Sequence, residues 1–115
     1  MNLIEATAWA DEMDIRVTVC DLKATIVYMN KASILGFHKY GGADLIGKSL
    51  LDCHLPVSQE KIREMLEYPQ VDTYAINKNE EKRLIRQFPW MEDGEHKGII
   101  EISFDLPPDF EEKKR

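Results

Sequence analysis

Two thiols and three imidazoles are the side chains in this sequence best suited to hold a metal or attack a carbon, and their spacing decides what they can do together. Cys53 and His54 are neighbours, so on a helix their side chains point roughly 100° apart and do not converge on one metal ion. No third ligand stands at a recognisable spacing. The same geometry weighs against a thiolate-imidazole nucleophile, which also lacks an orienting acid and an evident oxyanion donor. Cys20 stands alone, and neither cysteine belongs to a CxxC pair, so both read as reduced thiols, with Cys20 structural. His38 and His96 fall in predicted loops, and His54 reads as a histidine hydrogen-bonded near a helix cap. The carboxylate pairs Asp11-Glu12, Glu80-Glu81 and Glu111-Glu112 read as solvated charges, and Arg86 as a strand arginine lying over apolar neighbours. The expectation is a chain with no catalytic residues and no metal site.

The elements that must position these residues follow from hydrophobic spacing. Leu3, Ala6, Trp9, Ala10 and Met13 recur at three to four residues, which predicts an amphipathic helix over residues 1–13. Ile15 to Cys20 alternates β-branched and polar residues as a strand does, and a turn at Asp21 to Ala24 leads to a second strand, Thr25 to Met29. Asn30 can cap a helix over Lys31 to Gly36. Gly41-Gly42 ends that segment, with Asp44 and Ser49 as caps for short helical turns. Pro56 and Ser58 open the clearest helix, which carries Ile62, Met65 and Leu66 on one face and stops at Pro69. After it the period becomes two. Strands are predicted from about Val71 to Lys78, Arg83 to Met91 and Lys97 to Leu106, joined by Asn79-Glu80 and the hairpin signal Asp93-Gly94.

Two hairpin units separated by helices suit one five-stranded antiparallel sheet with helices over one face, an α+β domain. The chain of 115 residues has room for one such core, burying roughly two thirds of its unfolded surface. With 15 basic against 21 acidic residues and a net charge of −6, it lacks the clustered positive charge that nucleic acid needs. No stretch approaches the roughly 18 apolar residues of a membrane span, and the first residues do not form a signal peptide, so a cytoplasmic location is expected.

Three stretches together resemble a PAS domain: "VTVCDLKATIVYMNKAS", a hairpin ending in a helix-capping asparagine; "DLIGKSLLDCH", in which Gly47 precedes the long connecting helix; and the closing "LIRQFPWMEDGEHKGIIEISFDLP". The resemblance runs over residues 14–107, leaving 1–13 as the amphipathic helix and 108–115 as a charged tail. It implies a sheet in the order 2-1-5-4-3 with a pocket between sheet and helices, lined by Cys20, Tyr28, Leu50, His54, Met65, Gln87, Glu101 and Ser103. It leaves the cofactor unknown. In light-sensing flavin relatives the reactive cysteine stands three residues after the glycine matching Gly47, and here that position is Leu50, so a flavin photoadduct is not expected. A haem would have to use His54 or Met65.

The resemblance also implies that Cys20, Gln87, Glu101 and Ser103 face the pocket, which turns the apolar side of the sheet away from the helices. That side would need cover; the N-terminal helix is the available one but is too short to hide three strands, so a second copy is expected to complete the seal in a two-fold homodimer, through Leu3, Trp9, Met13, Trp90, Ile100, Ile102 and Phe104. The function expected is a sensory or regulatory PAS module that binds a small molecule or a signalling protein and signals through changed packing or dimerisation. Because these 115 residues hold no effector segment, its output is expected to pass through a partner, through dimerisation or through a longer chain. The alternatives are a ligand-free protein-protein interaction module and, more weakly, a haem-binding redox or gas sensor.

Overall fold

The computed structural model describes residues 8–115, the side chain of Cys53 excepted. Leu3 and Ala6 of the expected N-terminal stripe lie outside the described residues. Strand β1 spans Arg16–Asp21 and β2 Ile26–Met29; helix α1 spans Lys31–Gly36 and α2 Pro56–Glu67; strands β3, β4 and β5 span Asp72–Lys78, Glu81–Glu92 and Glu95–Leu106. Between the helices lie three 3-10 turns, His38–Tyr40, Gly42–Leu45 and Leu50–Cys53. The sheet is antiparallel throughout, in the order β2-β1-β5-β4-β3. No described helix is long and apolar enough to cross a membrane.

The last two hairpins run further than the sequence predicts. Asn79 and Glu80 have φ of 54° and 66°, and Asp93 and Gly94 have 50° and 78°. Two left-handed residues in succession make the tight hairpin turn whose twist matches the strands, so pairing continues to the turn itself, Lys78 opposite Glu81 and Glu92 opposite Glu95. His96, expected in a loop, therefore sits in β5, with Nε2 2.9 Å from the Gly98 carbonyl oxygen. At Gly98 φ is 159° and a Cβ would overlap the Cys20 carbonyl oxygen, so only glycine lets β5 approach β1 this closely.

Register assigns the two faces. Arg16 and Thr18 lie opposite Ser103 and Glu101, and Ile85 and Gln87 oppose the same pair from β4. These residues face the helices. Val17 and Val19 oppose Ile102 and Ile100, while Leu84 and Phe88 oppose Phe104 and Ile100, forming apolar rows on the outer face. The apolar core is packed under one half of the sheet, where Ile62 and Met65 of α2 meet Cys20, Ala24, Ile26 and Ile99. Leu66 packs against this cluster only partly buried. Among the described residues no helix fills the other half, under β3 and β4.

Asn30 locks the entry to this arrangement. It is fully buried, and its carboxamide meets four backbone groups: Oδ1 accepts from Val17 N and Ser33 N, and Nδ2 donates to the carbonyls of Ala10 and Ile15. A side-chain amide has two donors and two acceptor sites, and here each is used. Asn30→Ala strands two buried donors and two acceptors, so it should cost about 3 kcal/mol or more in urea unfolding. A loss below about 1 kcal/mol would mean that water substitutes for the carboxamide.

Candidate functional site

The inner face of the sheet is polar, and a polar face cannot be filled by apolar side chains without stranding its hydrogen-bonding groups. The residues resolve this partly among themselves. Thr18 and Ser33 hydroxyls lie 2.6 Å apart, Gln87 donates to Glu101 at 2.9 Å, and Arg83 donates to Ser103 at 3.2 Å while pairing with Asp105 at 2.8 Å. No buried side-chain polar atom among the described residues lacks a partner. Where this face runs out from under α2, a cleft of about 740 Å³ remains between sheet and helical layer.

One wall of the cleft is the sheet, with Arg16, Arg83, Ile85, Glu101 and Ser103; the other is helical, with Phe37, Tyr40, Leu50 and His54. Met29 and Ile26 close its inner end, both almost fully buried. The exposed rim mixes apolar and charged side chains: Tyr40 is 66% and Leu55 73% accessible, Tyr74 and Ile76 of β3 are also exposed, and Lys39, Lys78 and Glu81 stand among them. Loss of hydration, reinforced by Glu101 and Asp72, pushes the Tyr74 hydroxyl up to about 12, so it is a neutral donor at physiological pH. A concave site of roughly 300–1,000 Å³ with an apolar lining and a few placed polar groups is the usual form of a small-molecule site.

Of the eight residues expected in the pocket, Leu50, His54, Glu101 and Ser103 line the cleft. Cys20 and Met65 are 1% accessible within the packed core instead. Gln87 is buried beside the cleft and reaches it through its bond to Glu101. Tyr28 is a correction: it pairs with Val19, which places it on the outer face, where its hydroxyl donates to Asp11 at 3.4 Å. The bulge after Val19 shifts β2 by one residue, and a one-residue shift moves a side chain to the opposite face.

Sequence reasoning passed over the two arginines of the cleft. Arg16 has the strand parity of Thr18 and Cys20, and Arg83 that of Gln87, so alternation could have found both. Arg86 lies on the outer face, donating to Thr73 at 2.9 Å. Of the two axial ligands named for a haem, the cleft keeps His54, whose Nδ1 lies 2.8 Å from the Leu50 carbonyl oxygen, and does not include Met65. The described residues hold no group of three or more His, Cys, Asp or Glu side chains suited to a metal ion.

On the outer face Trp90, Ile100, Ile102 and Phe104 are partly buried, as is Met13. Ala10 docks at 7% accessibility, whereas Trp9, expected on the same buried stripe, is 73% exposed. The helical turn at residues 8–11 is fastened by Asn30, and Glu12 beyond it pairs with Lys31 at 2.7 Å.

No family model and no curated protein matches the sequence. Solved structures do match. VqmA from Vibrio cholerae, solved as a dimer, is 18% identical with a TM-score of 0.65 over 93% of this chain and 52% of its own, so this chain spans about half the length of VqmA. The Aer2 receptor from Vibrio cholerae, a dual PAS-haem oxygen sensor, is 16% identical with a TM-score of 0.63, over 81% of this chain and 95% of its own. The PAS domain of an HTR-like protein from Haloarcula marismortui is 16% identical with a TM-score of 0.60, over 90% and 94%. With the observed strand order, these likenesses establish that the chain has the PAS fold.

The buried thiol of Cys20 gives this geometry a chemical readout. Burial, ahead of the nearby charges of Asp21 and Glu101, pushes its pKa from 9.0 to about 11. At pH 8 it should react with iodoacetamide roughly a hundredfold more slowly in the folded protein than in urea, followed by mass mapping of its peptide, because the thiolate is the nucleophile. Since the folded thiol resists ionisation, its contribution makes stability fall as pH rises from about 9 to about 11. Equal rates in the two states would place Cys20 at the surface.

Proposed function

We propose that this PAS-fold chain is a sensory or regulatory binding module rather than an enzyme, and that it takes a small molecule in the cleft between the sheet and the helical layer. The observation that carries the reading is the cleft itself. Beyond α2 the polar inner face is left uncovered, and about 740 Å³ stays open between Phe37, Leu50 and Ile85, room for a small molecule. VqmA, similar over most of this chain, has been solved bound to DPO, which supports a ligand-binding use of the fold. A haem reading rests on His54 alone and is separated by the absorption spectrum: a Soret band that disappears in His54→Ala would favour it.

The outer face supports a second element of the proposal, self-association. Ile100, Ile102 and Phe104 continue the rows of Val17, Val19, Leu84 and Phe88 across three strands, and contiguous apolar surface of this kind marks interaction sites. A two-fold dimer is the usual solution for one such patch, and VqmA is a dimer.

Two measurements test these elements separately. A metabolite panel followed by thermal unfolding, with native mass spectrometry of the purified protein, should reveal at least one stabilising or copurifying compound. Ile85→Trp, which fills the cleft, should abolish that stabilisation while the protein stays folded. Failure of every compound would favour a ligand-free interaction module. In sedimentation the full chain should run as a dimer and Ile102→Lys as a monomer; a monomeric parent protein would remove the dimer.

A further inference from the structure

We propose that the ligand of the cleft carries a single anionic group, a carboxylate in the simplest case, and that Arg16 is its counter-charge. The inference rests on the reading of the cleft as a ligand site and names the chemistry that site selects.

Arg16 enters the cleft from β1, opposite Ser103. Its guanidinium lies 5.5 Å from the centre of the Phe37 ring and directly over Gly36, where even a Cβ would overlap it. Stacking on an aromatic face and contact with a bare glycine backbone hold the planar fork in one place before any ligand arrives. Among the described residues it makes no ion pair within 4.0 Å and no side-chain hydrogen bond. The acids nearby are occupied elsewhere: Asp105 holds Arg83 at 2.8 Å, and Glu101 accepts from Gln87 at 2.9 Å. Partial burial, and after it the like charge of Arg83, weaken the hold of Arg16 on its proton, and the charges of Asp105 and Glu101 only partly offset them.

A partly desolvated cation with unspent donors is costly unless an anion completes it. The bidentate geometry of guanidinium suits a planar carboxylate. Glu101 and Asp105 also line the cleft, and they disfavour a doubly charged phosphate in the same space. The chain as a whole carries a net charge of −6, so selection for an anion has to be local; Lys39 and Lys78 at the cleft are solvent-exposed, which leaves Arg16 as its partly buried cation without an ion pair among the described residues. Met29, Leu50, Phe37 and Ile85 give the cleft an apolar contact surface beside its polar groups, so the body of the ligand is apolar.

Matched acids and amides of one shape test this: phenylacetate with phenylacetamide, hexanoate with hexanamide, and indole-3-acetate with indole-3-acetamide, titrated at constant ionic strength. At least one acid should stabilise the protein to heat and bind about tenfold or more tightly than its amide, the fold-change expected for one charge-assisted hydrogen bond of roughly 1.5–3 kcal/mol. The same acid should displace the Arg16 Nε–H resonance in a nitrogen-proton correlation spectrum. Arg16→Gln should equalise acid and amide while still binding the amide. If that variant does not fold, the Nε–H displacement in the unmodified protein decides. Acid and amide binding equally, or an acid that leaves the Nε–H resonance unmoved, overturns the inference and leaves the ligand site standing. No binding by any member of the three pairs, in a protein that a compound of the metabolite panel does stabilise, overturns the inference and leaves the ligand site standing.

Discussion

A buried carboxamide with its four hydrogen-bonding positions filled is a strong constraint, because each of its partners would otherwise be a backbone group stranded away from water. Asn30 is that constraint here. Its oxygen starts α1 by holding Ser33 N, and the same oxygen holds Val17 N in β1, so the direction of the helix is fixed relative to the strand. Its nitrogen reaches the carbonyls of Ile15 and Ala10, which ties the N-terminal turn to the same point. Remove those four bonds and the hairpin, the first helix and the turn at residues 8–11 lose their common reference.

From that reference follows the unusual sidedness of the sheet. With Val17 N held by Asn30, alternation sends Val17 and Val19 outward and Arg16, Thr18 and Cys20 inward. The inward residues of β4 and β5 then have to be compatible with polar neighbours, and they are: Ser103, Glu101 and Gln87 satisfy one another or Arg83. An inner face of this kind can be sealed by α2 only where Cys20, Ile26 and Ile99 give it apolar contact. Beyond that zone close packing would bury unpaired groups, and the cleft is the result. The apolar material that would normally fill it is displaced to the outer face, where it calls for a different partner.

Much of the fold was legible because its signals are local. The asparagine cap, the two-residue turns at Asn79-Glu80 and Asp93-Gly94, and the proline boundaries of α2 each act within a few residues, and each is observed. The site was less legible because it depends on register. Leu50, His54, Glu101 and Ser103 could be assigned to a cleft by strand parity and by likeness to the PAS pattern, whereas Tyr28 went to the wrong face through a bulge that nothing in its own sequence announces. Met65 and Cys20 were placed on the right side of the sheet but in the packed half. Nothing in sequence says where along a strand a helix stops covering it. Arg16 and Arg83 were missed for a different reason, since isolated arginines in strands are usually solvated, and only the tertiary arrangement sets one against Gly36 and Phe37.

On the proposed reading, a ligand in the cleft touches the structure at few places that lead elsewhere, and β1 is the one that matters most. Thr18 lines the cleft and shares a 2.6 Å hydrogen bond with Ser33, whose backbone amide is held by Asn30, which in turn holds the carbonyl of Ala10. The path from cleft to N-terminal turn is thus three hydrogen-bonded side chains long and fully buried. A contiguous path is not by itself coupling; that requires two arrangements with different affinities for the ligand. The physical candidate for the second arrangement is the turn at residues 8–11, whose exposed Trp9 contributes little to holding it and whose attachment depends on Asn30, on Ala10, on the Tyr28 hydroxyl bond to Asp11 and on the exposed ion pair of Glu12 with Lys31. Exposed ion pairs contribute little, so among the described contacts the free energy separating docked and undocked turns is carried mainly by the Asn30 to Ala10 bond, the Tyr28 to Asp11 bond and the small apolar area of Ala10. A ligand need only prefer one of these by a few kcal/mol to shift the balance, and it would do so beside the apolar outer face on which self-association is proposed.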